Sequence, residues 1–500
     1  MNYSELLTWV APEMLLILAA LGALLIDLTT MRGSPLRSRR QAMVWLAGLG
    51  CGAALAAIFL APPATPAGYL DGMLVLNPLT SLVKVMVLAL TLFTACLARE
   101  ANFTEHVGEY FALLLLATAG MMFLVSTDNL LLIFLSLELL SLCLYIMTAF
   151  HKENIQSAEA ALKYFLFGGI SAAFLLFGLS LVYGLSGEIN LTKIALTLPG
   201  QPLDPLLLLA TLMVVVGFGF KVAAVPFHLW APDTYQGAPW PSAAFIASGS
   251  KVASFFILAK VMLVGFAGAE GSGAWRNFAQ GWVPILALVA GLSVVLGNLA
   301  AIVQSSVRRL LAYSAIAHAG YMLVGLLANQ RAEGMAAVLY YVMTYALTTV
   351  GAFAVVALVQ ERAGDDHLPA FAGLSQREPW LAFCMMIFLL SLAGIPPLAG
   401  FFGKFYLFKA ALFTTGAVQP LGLLWLVIVA LGMSAVSLYY YLQVLKQIYV
   451  ADLPAGAPAI VAGFWNKALV AALALSVVVL GCAPNLLLER LRAAINLAGL

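Results

Sequence analysis

Two stretches decide the predicted fold of this chain: GFGFKVAAVPFHLWAPDTYQGAPWPSAAFIASGSKVASFF at residues 217–256 and LLSLAGIPPLAGFFGKFYLF at residues 389–408. Each is an apolar run interrupted by proline, at Pro226 in the first and at Pro396 and Pro397 in the second. Proline lacks a backbone N–H and clashes with the preceding turn, so it breaks a helix. At membrane depth a broken helix is tolerated only where it is buried in protein or lines a water-filled cavity. The two stretches therefore predict two broken helices around an internal polar site.

Both stretches also carry lysines at membrane depth. Lys221 precedes the first break, Lys251 lies in the apolar run that follows it, and Lys404 lies seven residues beyond the double proline. A lysine near the bilayer centre is costly unless it faces a partner or a wet cavity. These lysines are therefore candidate proton carriers. The competing interpretation of Lys251 is an amine satisfied by backbone carbonyls that are freed near the break.

The composition defines the class of protein. The chain has 500 residues, of which 63% are hydrophobic and 9% charged, with a mean hydropathy of +1.02. A soluble domain of this size needs more polar surface, so we predict a polytopic membrane protein in a lipid bilayer. The net charge is +2 and the charges are scattered, which gives no basis for a nucleic-acid partner. The N-terminus lacks a basic region and a small-residue cleavage site, so we expect a retained helix rather than a signal peptide.

Apolar runs of about 20 residues predict about fourteen transmembrane helices in an all-α fold. Helices 7 and 12 contain the two breaks. The connections are short and leave no room for a soluble catalytic domain. The predicted spans are 10–29, 42–61, 77–97, 108–126, 129–150, 159–185, 205–225, 242–266, 282–304, 309–328, 335–359, 379–412, 421–448 and 465–488.

The loop lysines and arginines predict the orientation, because positive residues accumulate on the cytoplasmic side. Twelve follow odd-numbered helices, and five follow even-numbered helices or lie in the tail. Both termini are therefore expected on the outer side of the membrane, opposite the cytoplasm. The twelve are Arg32, Arg37, Arg39, Arg40, Arg99, Lys152, Arg308, Arg309, Arg362, Arg377, Lys446 and Lys467, and the five are Lys193, Arg276, Arg331, Arg490 and Arg492.

A weak internal repeat links the two halves of the chain. YIMTAFHKENIQSAEAALKYFLF from Tyr145 and YMLVGLLANQRAEGMAAVLYYVM from Tyr321 share an aromatic start, an Ala-Glu pair and paired aromatic residues. The alignment matches helices 4–8 with helices 9–13 and one broken helix with the other. Because each copy has five helices, consecutive copies are inverted, which is typical of transporters. The predicted parts are an N-terminal three-helix segment (1–107), two inverted five-helix repeats (108–266 and 282–449) and a C-terminal helix (450–500).

Glu138 lies near the middle of predicted helix 5, nine residues after Asn129. An unpaired carboxylate there would be protonated or would require a cation, and the candidate partner is Lys221. The proton affinity of each group depends on its distance from the other, so a small movement becomes proton uptake or release. The alternative is a static pair that holds two helices together, although buried pairs add little net stability.

Other ionisable residues are secondary candidates. Lys163 in helix 6 is either a site residue or a lysine that reaches the membrane surface. His228, beside the first break, and His318, in helix 10, are candidate proton relays because histidine titrates near neutral pH, or else they are satisfied core histidines. The remaining membrane-depth charges are interpreted as interfacial (Glu13, Asp27) or as snorkelling and lateral links (Lys84, Lys260, Lys409).

No motif predicts a cofactor or metal site. The sequence has no GxGxxG in a βαβ unit and no helical histidine pair at haem spacing. Tyr439, Tyr440 and Tyr441 are interpreted as packing or a wet lining. Electron transfer is therefore expected in other chains. Five single cysteines without CxxC spacing suggest neither zinc nor an iron–sulfur cluster: Cys51, Cys96, Cys143, Cys384 and Cys482.

These features resemble the antiporter-like membrane subunits of respiratory complex I, the proton-pumping NADH:quinone oxidoreductase. The strings FKVAAVPFHLWAPDTYQGAP (220–239) and SLAGIPPLAGFFGKFYLF (391–408) are highly specific, and the resemblance covers nearly the whole chain. Members of the M-type branch carry glutamate at the helix 12 position where this chain has Lys404, and the long lateral helix of the L-type branch has no counterpart here. The resemblance therefore favours the N-type branch.

The resemblance implies that other subunits bind NADH, FMN, the iron–sulfur clusters and quinone, and that this chain binds none of them. It also implies chains M and K as flanking partners in the membrane, with smaller helical subunits beside them. The implied roles are Glu138 and Lys221 as the coupling pair, Lys251 as the central relay, His318 on the central hydrophilic axis, Lys404 as the link to the periplasmic half-channel, and Lys163 as an additional cytoplasmic-side lysine.

The leading hypothesis is a proton-translocating subunit coupled to quinone reduction elsewhere in the complex. The nearest alternative is a subunit of a multisubunit Na⁺/H⁺ antiporter or of a membrane-bound hydrogenase, which share this fold. A second alternative is a structural membrane subunit that does not pump.

Overall fold

The computed structural model describes residues 3–60, 67–69, 71–198, 204–275, 277–328, 330–412, 422–453, 459–460 and 463–499. Predicted features outside these ranges are the loop residue Arg276 and the span ends at residues 61 and 421. The described α-helices are α1 Tyr3–Trp9, α2 Ala11–Leu28, α3 Leu36–Leu60, α4 Pro78–Ala98, α5 Val107–Val125, α6 Leu130–Thr148, α7 Ile155–Ser186, α8 Leu191–Thr197, α9 Pro205–Val222, α10 Trp230–Gly237, α11 Trp240–Ala247, α12 Gly249–Lys260, α13 Trp282–Ile302, α14 Val307–Leu326, α15 Arg331–Ala363, α16 Leu374–Arg377, α17 Pro379–Ala393, α18 Ala399–Leu412, α19 Leu424–Tyr449, α20 Phe464–Cys482 and α21 Asn485–Leu497.

Short non-α elements lie in or beside the connections. A π-helical turn, Val261–Gly265, continues α12, and a 3₁₀ turn, Leu368–Phe371, follows α15. The prediction of an all-α membrane fold is confirmed, and two short antiparallel hairpins lie in the connections. They pair β1 Ala67–Tyr69 with β2 Leu74–Leu76 and β3 Ser272–Ala274 with β4 Asn277–Ala279.

Within the described residues, twelve helical segments are long and apolar enough to cross a membrane. The other two predicted spans are α14 and the broken pair α17–α18. Helix α14 is less apolar because neighbouring helices enclose it, so it does not have to match the lipid. The two halves of the broken helix are each shorter than a full span. The last predicted span, 465–488, is in fact α20 followed by the start of α21.

The first break begins earlier than proline alone predicts. Helix α9 ends at Val222, and Ala223 adopts a left-handed conformation with φ 60°. The Ala224 N–H then donates to Gly219 O at 2.8 Å, and the Val225 N–H donates to Ser293 Oγ at 2.8 Å. These bonds satisfy the backbone between the end of α9 and Pro226, which follows a cis peptide bond.

The second break has the same local construction. Helix α17 ends at Ala393, and Gly394 adopts φ 89°, which glycine accepts without a steric penalty. The Ile395 N–H donates to Leu390 O at 3.0 Å, as Ala224 does at the first break. A cis peptide bond joins Pro396 and Pro397. The backbone of the two broken helices is therefore arranged alike, which supports the predicted repeat.

A second correspondence supports the repeat. An isolated antiparallel bridge joins Asn129, just before α6, to Asn190, just after α7, and another joins Ser306, just before α14, to His367, after α15. In the first, the Leu130 N–H donates to a carbonyl across the bridge at 2.8 Å, and in the second the corresponding bond from Val307 is 2.9 Å. The two bridges thus flank α6–α7 and α14–α15 in the same way, as the predicted repeat requires.

The centre of the bundle consists of α11, α12, α14 and α15. The apolar windows of α15 and of the segment from α11 through the π-helical turn are wholly buried. By contrast, only 33–39% of the residues in the apolar windows of α2, α3, α7, α19 and α20 are buried, so these helices form the outside of the protein. The central helices hold the candidate polar groups away from lipid.

Candidate functional site

The predicted pair Glu138–Lys221 forms in the structure. Asn129 caps the N-terminus of α6 by accepting from the Leu131 N–H at 3.0 Å, which fixes the start of the helix. Lys221 Nζ, from the last turn of α9, lies 3.6 Å from Glu138 Oε1 and donates to Ser141 Oγ. The lysine side chain is buried, so its charge is shared between a carboxylate and a hydroxyl.

Glu138 lies at the edge of an outward-facing stripe of α6. Leu131, Leu135, Leu142 and Ile146 repeat at helical spacing and are each about half exposed, and the Glu138 side chain is 24% exposed. One end of the ion pair is therefore accessible from the outside of the protein, whereas Lys221 lies in its interior.

Lys251 is fully enclosed at the start of α12. Its Nζ donates to Ala315 O of α14 at 2.7 Å and lies 5.5 Å from the centre of the Tyr345 ring of α15. In the structure the Lys251 amine is therefore held by a backbone carbonyl, as the alternative interpretation of this residue predicts. A single carbonyl leaves the other amine protons available, because lysine has three donors.

His318 lies between tyrosines from two other helices. Its Nδ1 is 2.6 Å from the Tyr341 hydroxyl of α15, and its Nε2 is 3.1 Å from the Tyr441 hydroxyl of α19. The Tyr441 hydroxyl also lies 2.5 Å from Ser314 Oγ, one turn before His318. A neutral imidazole has one donor and one acceptor nitrogen, so this arrangement allows a proton to enter at one nitrogen and leave at the other.

Lys404 is held by the second break. Its Nζ donates to Leu392 O at 3.0 Å and to Ala393 O at 2.9 Å, which are the last carbonyls of α17. It also donates to Ser434 Oγ of α19 at 2.8 Å. The cation thus occupies the negative end of a helix that the break exposes.

Two aromatic rings connect these groups into one line. The His318 ring is 5.1 Å from that of Tyr345, which also faces Lys251, and 5.7 Å from that of Tyr321. The Tyr321 ring in turn lies 5.0 Å from Lys404 Nζ. Lys251, His318 and Lys404 are therefore brought together in the centre of the protein, in that order.

The structure places two other predicted residues outside this line. The Lys163 side chain is 39% exposed and pairs with Glu159 at 2.6 Å and with Asp233 at 2.8 Å. Asp233 also pairs with Arg309 at 2.7 Å, so Lys163 belongs to a polar cluster at the end of α10 that leads toward α14. His228 lies in the first break, with its Nδ1 buried and without a hydrogen-bond partner within the described residues.

Sequence reasoning missed the tyrosines that line the central site. Tyr341 and Tyr345 are spaced by four residues on α15, and Tyr321 is three residues after His318 on α14. This i, i+3 or i+4 spacing places each pair on one helix face and was the available signal. Tyr441 was interpreted only as packing or a wet lining, and its hydroxyl in fact contacts His318.

Three further buried ion pairs hold helices together outside the central line. Glu13 is fully buried and pairs with Lys84 at 2.6 Å, so the expectation that Glu13 is interfacial is wrong. Asp27 is also buried and pairs with Arg39 at 2.6 Å. These carboxylates lie near the ends of α2, but α4 and α5 pack over them, which a single sequence does not reveal. Lys260, for which a lateral link was one prediction, pairs with Asp128.

Within the described residues, one group of side chains has the spacing of metal ligands. Asp365, Asp366 and His367 have ligand atoms within 4.8 Å of one another in the connection after α15. Their mutual contacts and the 2.5 Å bond from Ser306 Oγ to Asp366 account for this cluster as a structural feature. It lies in the connection that follows α15, outside the central line.

A bundle with two similarly broken helices and a buried line of lysines, histidine and tyrosines defines a membrane protein of the ion-transporter class. The family model described as NADH:quinone oxidoreductase/Mrp antiporter, TM, matches residues 127–434. The chain belongs to this family, whose matched region contains both the Glu138–Lys221 pair and the line from Lys251 to Lys404.

The relatives cover most of the chain. NADH-quinone oxidoreductase subunit N 2 of Acidobacterium capsulatum is 54% identical over 500 residues, covering 98% of this chain and 99% of the relative. Subunit N of the Moorella thermoacetica enzyme is 41% identical over 423 residues, or 84% of each chain. A chain of respiratory complex I from Thermus thermophilus, solved with bound aureothin, has a TM-score of 0.78 at 35% identity and covers 97% of this chain and 100% of that one.

The fold extends to a different kind of complex. A chain of the Mrp complex from a Dietzia species has a TM-score of 0.82 at 21% identity, covering 98% of this chain and 97% of that one. At this identity the likeness concerns the fold alone.

Proposed function

We propose that this chain is subunit N of a bacterial NADH:quinone oxidoreductase and that it translocates protons through its buried ionisable line. The observation that carries the proposal is the continuous series Lys251, Tyr345, His318, Tyr321 and Lys404 in the centre of the fold. Buried charges add little net stability compared with well-packed apolar residues, so stability alone does not account for them. A series of them in a membrane interior is typical of a proton path.

The Glu138–Lys221 pair is the proposed switch at one end of the path. At 3.6 Å the two side chains lie near the limit of an ion pair, and Ser141 offers the amine a second partner. A small displacement of α6 relative to α9 therefore changes the distance between the Lys221 amine and the Glu138 carboxylate. Because the carboxylate stabilises the protonated amine, this movement changes the proton affinity of Lys221 and thus its release of a proton to the path.

The proposed architecture follows the predictions made from the sequence. We assign the repeats to 108–266 and 282–449, flanked by segments 1–107 and 450–500, with both termini periplasmic in the bacterial inner membrane. The similar construction of the two breaks and of the two bridges supports the repeats.

Neighbouring subunits are proposed to cover the face that carries Glu138. A carboxylate exposed to lipid is costly, and the leucines beside it are about half exposed, so this face suits another protein better than lipid. Chains M and K are the proposed flanking partners, with smaller helical subunits nearby. NADH, FMN, iron–sulfur clusters and quinone are assigned to other subunits, and this chain contributes the path for protons.

Proton pumping in the assembled complex tests the function. Lys221→Ala and Glu138→Ala are each expected to lower quinone-coupled pumping strongly, because one removes the carrier and the other its counter-ion. Lys193→Ala is the control, since Lys193 pairs with Asp71 at the exposed surface, outside the line. Undiminished pumping in both site variants would exclude the proposed role of the pair.

The same preparations distinguish proton translocation from sodium antiport. Pumping by the unaltered complex is expected to persist at its full rate in buffers without sodium. A rate that rises with sodium concentration would favour the alternative of a Na⁺/H⁺ antiporter subunit.

A further inference from the structure

A small polar cavity lies at the end of the bundle where α14 and α18 finish and α19 begins. Its volume is about 90 Å³, and a buried water needs roughly 10–15 Å³ of such space, so several waters fit. Glu270 and Ser272 line it, together with Ala328, Ala411 and Leu423. The cavity is separate from the central line described above.

Helical geometry places this cavity directly beyond Lys404. Ala411 lies seven residues after Lys404 on α18, and Ala328 lies two residues beyond the end of α14, the helix that carries Tyr321. Seven residues make two turns, so Lys404 and Ala411 share a helix face with a rise of about 10 Å. Two helices that enclose the Lys404 amine therefore also enclose the cavity, two turns farther toward the end of the bundle.

An apolar layer separates Lys404 from the cavity. Leu407 and Phe408, one turn after Lys404, are both buried. Leu407 packs against the backbone of α14 at Gly325, where an added Cβ would lie 2.1 Å from Leu407 Cδ2. The Phe408 ring lies 6.1 Å from the ring of Tyr321. Apolar constrictions of this kind stop conduction by excluding water.

Glu270 is the carboxylate at the outer side of this cavity. Its Oε1 accepts from Arg331 at 2.5 and 3.0 Å, and its side chain is 38% exposed. It therefore touches both the cavity and the exterior. A partly exposed carboxylate can take a proton from a cavity water and release it to solvent.

We propose that Glu270 receives the protons that leave Lys404, across a plug formed by Leu407 and Phe408. This inference rests on the proposed function and on the periplasmic placement of this end of the bundle. When the plug hydrates, the Lys404 ammonium gives one proton to water and becomes a neutral amine. The proton passes to the Glu270 carboxylate, which becomes a neutral acid and then releases the proton to the periplasm.

A matched pair of substitutions separates the carboxylate from its ion pair. Glu270→Gln and Arg331→Gln both break the same ion pair, but only the first removes the proton acceptor. In the assembled complex we expect Glu270→Gln to lower the initial rate of quinone-coupled pumping by at least half, and Arg331→Gln to leave it unchanged. Equal loss in both variants, or no loss in Glu270→Gln, would overturn the assignment of Glu270.

The plug is tested independently by Leu407→Ala. Removing this side chain opens space beside Gly325, so an imposed pH gradient across vesicles that contain the complex is expected to decay at least twice as fast as with the unaltered complex. Leu16→Ala is the control for a core leucine, because Leu16 is equally buried in α2, outside both repeats. A decay no faster than in this control would show that Leu407 does not act as a plug. This readout also decides the proposal if Glu270→Gln does not assemble.

Lys404→Ala distinguishes failure of this inference from failure of the function. Full pumping in Lys404→Ala would refute the proposed path itself. Loss of pumping in Lys404→Ala together with full pumping in Glu270→Gln would leave the function standing and refute the exit at Glu270.

Discussion

Replacing Lys251 with arginine tests whether Lys251 acts as a proton carrier or as a fixed structural cation. Lys251 is 1% exposed, and its Nζ donates to Ala315 O at 2.7 Å and lies 5.5 Å from the Tyr345 ring centre. Arginine keeps the positive charge, can donate to the same carbonyl and stacks on aromatic rings. It does not release its proton under ordinary conditions, so only the carrier function is lost.

The expected loss of pumping follows from the difference in proton affinity between lysine and arginine at this site. The reference pKa of arginine lies above that of lysine by roughly 2–3 units. At equal pH, the deprotonated fraction needed for relay is therefore about 10²–10³-fold smaller with arginine. The larger guanidinium must also fit a fully packed site, where overpacking costs about 1–3 kcal/mol. Assembly should fall modestly, and pumping per assembled complex should fall to background.

The assay is quinone-coupled acidification of inverted vesicles, normalised to the amount of assembled complex. Lys251→Met, which removes both the charge and the bond to Ala315, is the reference for complete loss. If Lys251→Arg assembles and retains more than about a tenth of the original pumping, the difference in proton affinity does not limit transport. Lys251 would then act as a fixed charge, and the relay argument would be refuted.

Two further predictions concern helix packing. Lys84→Met leaves the Glu13 carboxylate buried without its cation and is expected to cost about 3–5 kcal/mol of stability, measured as a lower unfolding temperature of the complex. Combining Lys84→Met with Glu13→Leu is expected to recover most of this loss. A double variant as unstable as the single one would contradict this prediction. Arg308→Met removes charge-assisted hydrogen bonds to Tyr235 O and Ala238 O, each worth about 1.5–3 kcal/mol, and should lower the yield of assembled complex. Arg308→Lys should retain part of that yield. An unchanged yield for Arg308→Met would contradict the prediction.

The arrangement of helices was largely predictable from the sequence, and the reason is the bilayer. Apolar length predicts each span because lipid cannot bond to a free backbone, and the same rule makes Pro226 and the pair Pro396–Pro397 mark internal breaks. The first break nevertheless begins at Ala223, because the left-handed cap at this residue depends on bonds to Gly219 and Ser293. Such a bond to a distant helix leaves no local pattern.

The partners of the buried lysines were only partly predictable. The Glu138–Lys221 pair could be proposed because both residues violate the apolar character of their helices. The contacts of Lys251 and Lys404 could not be assigned, because these amines bind backbone carbonyls, which carry no residue signature. Helices such as α15 are buried on all sides and show no amphipathic stripe, so the sequence does not indicate which face meets His318.

The two breaks share a backbone geometry, but they are connected to different partners, and this difference gives the proposed path its direction. At the first break, the Phe220 carbonyl accepts from Trp230 Nε1 at 3.0 Å, so the freed backbone is already satisfied and Lys221 turns away toward Glu138. At the second break, the last carbonyls of α17 are occupied by Lys404 itself. A movement of the outer face can therefore act on Lys221 without disturbing its break, whereas Lys404 changes partners only when α17 and α18 move relative to each other. The first site is suited to receive a signal from a neighbouring subunit, and the second is suited to release a proton when the helix itself opens.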